Sequence, residues 1–210
     1  MSLKQTAERL MSEETGRTLD YYDQNAEAYR DDTVNVSMKY SYDRFLFYMP
    51  ETGRLLDFGC GSGRDTKFFL EKGFEVDAAD GSAEQAKIAE ELTSHPVRVM
   101  RFTELDAEDA YEGIWACASI LHCPWDELTE VFGRMLKALK KEGVIYASFK
   151  LGDFEGYRGE RYYTDLDVER LFRLLSRYEN CLLLECWKSH DGRPERFEEM
   201  WLNFIVRRIV

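Results

Sequence analysis

Nothing in the 210-residue chain approaches the apolar length needed to cross a bilayer, and no signal-peptide pattern opens it, so a cytoplasmic protein without a membrane partner is expected. Its five cysteines (Cys60, Cys117, Cys123, Cys181 and Cys186) form no C-x-x-C pair and no Cys/His metal spacing, which argues against a zinc site. An odd number fits reduced thiols, and Cys117 and Cys181 sit in apolar runs suited to core packing. Basic residues are scarce relative to acidic ones, 28 against 40, and the formal net charge of -12 comes with no basic run. That balance disfavours a nucleic-acid partner, because Lys and Arg on phosphates supply much of such binding. Repeats, linkers and low-complexity segments are also missing. The reading is one domain, with an N-terminal helical cap or lid over residues 1–50 and a core over 51–210. Monomer and homodimer both fit.

What the chain does have is concentrated between Arg54 and Ser82, in RLLDFGCGSGRDTKFFLEKGFEVDAADGS. A short apolar strand ends at Asp57. Gly59, Gly61 and Gly63 follow on alternate positions, then a helix from about Arg64 to Lys72, and a second strand leading to Asp80. This is the mononucleotide-binding half of an α/β sheet. Glycine lets the backbone turn at positive φ and lets a ligand lie close to its N–H groups. An acid ending the second strand is placed to accept from ribose hydroxyls. A pyrophosphate-binding turn needs a third glycine or alanine where Arg64 stands, which argues against a nicotinamide dinucleotide.

Further along, Ser82 and Gln85 read as a capping box. Strands are expected over Val97–Phe102, Gly113–Leu121 and Val144–Phe149, with a helix between the last two burying Leu128, Val131, Phe132, Met135, Leu136 and Leu139 and stopped by Gly143. A charged, glycine-rich loop spans Lys150 to Tyr163. Thr164-Asp165-Leu166-Asp167 is an N-cap signal for a helix reaching about Tyr178. The runs Cys181–Lys188 and Met200–Ile209 are separated too briefly for a crossover helix and should pair antiparallel.

The string LDFGCGSGRD resembles the acidic-x-G-x-G-x-G loop of class I S-adenosylmethionine-dependent methyltransferases. The order of elements resembles that family's Rossmann-like, seven-stranded, mostly parallel sheet with helices on both faces and a C-terminal antiparallel hairpin. YEGIWACASILH, GVIYASFK, RYYTD and MWLNFIVRR resemble small bacterial methyltransferases of the tellurite-resistance type. The resemblance implies methyl transfer from S-adenosylmethionine to a small-molecule acceptor. Gly59, Cys60, Gly61 and Gly63 would wrap the methionine part of the cofactor, with Asp57 near its ammonium group and Arg64 near its carboxylate or on the surface. Asp80 would hold the ribose, with Gly81 and Ser82 beside the adenine. Arg101 stands where the family usually has an acid, so Phe102 is placed to stack on the adenine, and its amino group is left to backbone carbonyls or a later acid such as Asp106. Ala118, Ser119, Leu121 and His122 would face the cofactor and acceptor, with His122 as a general base or a pocket-shaping residue. Tyr21 and Tyr29 lie in a segment resembling the family's lid. Arg161, Tyr163 and Arg196 would border the acceptor mouth, where arginines suit an anion. Two alternatives stay open: a non-catalytic S-adenosylmethionine-binding module, and a nicotinamide-dependent oxidoreductase.

Overall fold

A computed structural model describes the backbone from Leu3 to Val210 and side chains from Glu13 onward. Met1 and Ser2, at the start of the expected cap, lie outside the described residues. Three helices come first: α1 (Leu3–Gln24), α2 (Ala26–Thr33) and α3 (Lys39–Tyr48). The core then alternates strand and helix through β1 (Arg54–Phe58), α4 (Arg64–Glu71), β2 (Glu75–Asp80), α5 (Ala83–Thr93), β3 (Val97–Val99), β4 (Tyr111–Ala116), α6 (Trp125–Ala138) and β5 (Leu139–Lys150). It closes with β6 (Glu155–Arg158), β7 (Arg161–Thr164), α7 (Val168–Leu175), β8 (Cys181–His190) and β9 (Met200–Arg208). The main sheet runs β3-β2-β1-β4-β5-β9-β8, and β9 inserts antiparallel between β5 and β8. Strand order reverses between β1 and β4, which places the binding crevice at their carboxyl ends. Among the described residues no helix is long and apolar enough to cross a membrane.

Both sheet faces are covered, as the nearly unbroken apolar runs of β4 and β5 require. One face packs on α6 and α7 through Leu128, Val131, Phe132, Leu171 and Leu174. The other buries Trp115 and Tyr146, stacked 3.9 Å apart, against Phe69 of α4 and Phe45 of α3. So α3 is part of the core, whereas α1 is attached differently. Among its described side chains, Thr18 alone is buried.

Several local expectations change. Ser82 caps α5 by accepting from the Gln85 amide, but the Gln85 side chain does not reach back; its carboxamide is buried without a partner. Strand β4 stops at Ala116 because Ala118 adopts a left-handed backbone (φ 51°), and Ile120–His122 continue as a 3-10 turn. Helix α6 ends at Ala138, before Gly143, because Leu139 already pairs with Tyr111. The glycine-rich segment before Tyr163 folds into the β6–β7 hairpin, turning at Gly159 (φ 63°).

Candidate active site

The glycine loop is built by satisfying its own backbone. The N–H groups of Gly59 and Cys60 both donate to the Ala79 carbonyl at 2.8 and 3.0 Å, and Gly63 N–H donates to the Cys60 carbonyl. Gly61 N–H donates to Asp80 Oδ2 and Ser82 N–H to Asp80 Oδ1, at 2.8 and 2.9 Å. The loop therefore presents a surface free of Cβ atoms, not the row of open donors expected. Gly59 (φ 85°) needs glycine twice over, since a Cβ there would meet Ser119 Cβ at 2.4 Å. Ser119 ties the neighbouring strand ends together by donating to the Phe58 carbonyl at 2.6 Å.

A first cavity, with about 640 Å³ of empty space, lies over this loop. Of the expected cofactor residues it is lined by Gly59, Gly61, Asp80, Gly81, Phe102 and Ala118. Asp57, Cys60, Gly63 and Ser82 lie behind its wall. Asp57 is buried and accepts from the Thr66 hydroxyl at 2.6 Å. Its neighbour Asp65 collects the Arg64 guanidinium, the Tyr42 hydroxyl and the Trp115 indole N–H, which hold its pKa low despite burial. Burial and the adjacent Asp65 charge push Asp57 upward instead. Gly63 serves packing: its φ of 81° starts α4, and a Cβ would press on Ala89 of α5 at 2.9 Å.

The same cavity is closed by residues that apolar periodicity did not reveal. Thr15, Thr18, Leu19 and Tyr22 of α1 line it at i, i+3, i+4 and i+7, one helical face that is mostly polar. That face is pinned at each step. Thr15 donates to Glu127, Thr18 Oγ1 accepts from Tyr162 N–H at 3.0 Å, and Tyr22 meets His122 at 2.8 Å. Asp23 accepts from the Ser82 hydroxyl at 2.5 Å. Gln85, Met100 and Arg101 complete the far end beside Phe102, whereas Asp106 does not line it.

His122 has no free nitrogen. Its Nδ1 lies 2.6 Å from the Tyr162 carbonyl, which can only accept, so Nδ1 carries the proton. Nε2 is then the acceptor for the Tyr22 hydroxyl. Burial, with Arg161 and Lys150 nearby, lowers the imidazole pKa to about 3. The geometry makes it a neutral link between α1 and β7, not a poised base.

Tyr22, Tyr29, Ala118 and His122 also line a second cavity, with about 1040 Å³ of empty space including open solvent. It contains Leu121, Arg161, Tyr163 and Arg196 as expected, and Lys150, Arg193, Trp201 and Asn203 in addition; Arg64, expected near the cofactor carboxylate or on the surface, lines this cavity and not the first, held by Asp65. Ser119 stays in the first cavity. Tyr21 lines neither, but its ring packs on the Arg161 guanidinium at 4.6 Å. Burial pushes the Tyr29 phenol up to about 12, so it is a neutral hydroxyl at the boundary.

The first cavity suits an adenosyl group by its own chemistry. A carboxylate sits at the end of β2, and the walls are apolar at Leu19, Met100 and Phe102. The side-chain amide of Gln85 is buried, and neither of its polar atoms has a hydrogen-bond partner among the described residues. A buried amide without partners is costly, and a heterocycle edge carrying a donor and an acceptor would satisfy it.

Residues 55–143 match the family model of a methyltransferase domain. The 1,6-didemethyltoxoflavin N1-methyltransferase of Burkholderia thailandensis, solved with 1,6-didemethyltoxoflavin and S-adenosylhomocysteine, superposes with a TM-score of 0.72 at 22% identity over 100% of this chain and 92% of that one. An S-adenosylmethionine-dependent methyltransferase of Methanosarcina mazei gives 0.71 at 16% identity over 80% and 98%. The fold is that of class I S-adenosylmethionine-dependent methyltransferases, and the matched domain covers its glycine loop and Asp80. YqeM of Bacillus subtilis (strain 168), named as a methyltransferase without a stated substrate, is 29% identical over 116 residues, which are 50% of this chain and 47% of that protein. The chain thus aligns with about half the length of that relative.

Proposed function

We propose that this protein transfers a methyl group from S-adenosylmethionine to a small-molecule acceptor. The observation that carries this reading is the pair of adjoining cavities, one over the glycine loop and Asp80, the other opening across Tyr22, Tyr29, Ala118 and His122. Bound S-adenosylmethionine supplies an electrophilic methyl on a sulfonium, so displacement in line needs alignment more than acid–base help. Asp80 and the loop would hold the nucleoside and amino-acid parts, Gln85 the adenine edge, and α1 would exclude water from above.

The boundary residues offer no free base. Both His122 nitrogens are engaged, the Tyr22 hydroxyl is spent on Nε2, and Tyr29 keeps its proton up to about pH 12. The reading therefore favours acceptors whose attacking lone pair is available at neutral pH without proton removal. The subgroup resemblance to tellurite-resistance-type enzymes belongs to this proposal. Its strings RYYTD and MWLNFIVRR supply Arg161, Tyr163, Trp201 and Asn203 to the second cavity. Small-molecule activity also agrees with the net charge of -12.

Isothermal calorimetry with S-adenosylhomocysteine, with NADH as control, tests the cofactor class. Binding of the first alone is expected. Binding of NADH alone, or of neither, would overturn the assignment. A tritiated-methyl acceptor screen then separates turnover from mere cofactor binding.

A further inference from the structure

The acceptor cavity is basic within an acidic chain. Arg64, Lys150, Arg161, Arg193 and Arg196 line it, and Asp191 is its one acidic residue among those described. Four of the cations already have carboxylates. Arg64 pairs with Asp65 at 2.6 Å, Arg193 with Asp191 at 2.7 Å, Lys150 with Glu199, and Arg196 more distantly with Asp32 at 4.0 Å. Arg161 has none among the described residues. Its polar contact is the Tyr22 hydroxyl at 3.4 Å, and its guanidinium lies against the rings of Tyr21, Tyr22 and Tyr163 at 4.6, 5.7 and 5.4 Å.

A guanidinium held partly out of water by three phenol rings loses hydration that no counter-ion returns. The rings attract the cation through their faces, and the long contact to the Tyr22 hydroxyl leaves most N–H donors of its planar fork without a hydrogen-bond partner among the described residues. That fork matches a carboxylate. We propose that Arg161 is the recognition point for a carboxylate, or a comparable delocalised oxyanion, on the methyl acceptor. This rests on the methyl-transfer reading and narrows it: the acceptor is an anion, bound by Arg161 at the boundary with the first cavity. A carboxylate could also come from the amino-acid end of the cofactor. The acceptor is favoured because Arg161 lines the second cavity and not the first.

Benzoate and its neutral isostere benzamide serve as probes, titrated by calorimetry or ligand-observed NMR into protein saturated with S-adenosylhomocysteine. Benzoate is expected to bind at least tenfold more tightly. The preference should vanish in Arg161→Gln and be partly retained in Arg161→Lys, with cooperative thermal melts showing that both variants fold. Equal binding of the two probes, or a preference that survives Arg161→Gln, overturns the proposal. The cofactor source is tested by comparing S-adenosylhomocysteine with 5′-methylthioadenosine, which lacks the amino-acid carboxylate. If Arg161→Gln weakens only the former and no benzoate preference exists, the anion is the cofactor's and the proposal fails. Failure of wild-type protein to bind S-adenosylhomocysteine is a different result and removes the methyl-transfer reading itself. The probe comparison on ligand-free protein still reads the anion site in that case.

Discussion

Asp80 and His122 show how a single side chain can be assigned by counting what its atoms already do. Asp80 uses its carboxylate to hold Gly61 and Ser82 N–H groups, leaving its remaining lone pairs toward the first cavity. Replacing it by alanine removes the loop anchor together with the proposed ribose acceptor. Burial raises its pKa, so the buried charge is not a large source of folding stability. Asp80→Ala should weaken S-adenosylhomocysteine binding at least tenfold, roughly 1.4 kcal/mol or more, with a melt shifted by only a few degrees. Unchanged affinity in calorimetry would remove the ribose assignment. For His122 the sign of the pH effect follows from its lowered pKa. The unfolded chain takes up a proton near pH 6.5 and the folded one only near 3. Stability is full above pH 6.5 and is lost as pH falls toward 3, by up to about 1.4 kcal/mol per pH unit. His122→Ala leaves the Tyr162 carbonyl and Tyr22 hydroxyl without their partner, costing about 1–3 kcal/mol at pH 7. That gap should shrink in urea melts at pH 4.5, because the variant lacks the titrating imidazole. Parallel pH dependences of the two proteins would contradict a buried neutral histidine.

At the scale of elements, Gly63 separates packing from binding. It lies behind the cavity wall, with a left-handed backbone and α5 against its Cα. Gly63→Ala is expected to cost about 2–3 kcal/mol, from the positive φ and the tightened α4–α5 contact. S-adenosylhomocysteine affinity should change less than threefold; a large affinity loss with intact stability would place Gly63 in the site instead. The same distinction explains what could be read from sequence. The β1–loop–α4–β2 unit was legible because glycines and acids at fixed offsets have few uses, and the antiparallel pairing of β8 with β9 followed from the short gap before Met200. The α1 face was not. Thr15, Thr18, Leu19 and Tyr22 hold the helix mainly by hydrogen bonds, so their spacing carries no apolar stripe. The β6–β7 hairpin hid in composition that reads as loop, and the position of Asp57 behind the wall depends on Thr66, a contact no spacing announces.

Across the whole molecule, attachment strength is uneven. The β5–β9 pair lies inside the sheet between β4 and β8, with Ile145, Tyr146, Ala147, Phe204, Ile205 and Val206 fully buried. By contrast α1 closes the first cavity through Leu19 and a row of polar pairs, several of them partly exposed, including Arg17 with Glu160. Few buried apolar contacts and solvent-accessible hydrogen bonds mark a segment that opens below the global unfolding free energy. A ligand filling the cavity would contact both α1 and the sheet loops that line it, so it could stay fully bound only while α1 is seated. At a hundredfold excess over its dissociation constant it stabilises the closed form by about 2.7 kcal/mol. Hydrogen exchange should therefore find the amides of residues 15–23 exchanging much faster than those of β5 and β9 without ligand. S-adenosylhomocysteine should slow residues 15–23 roughly a hundredfold and narrow that difference. Residues 15–23 already as protected as the central strands, or exchanging at the same rate with and without the ligand, would show that α1 is a fixed wall and not a closing element.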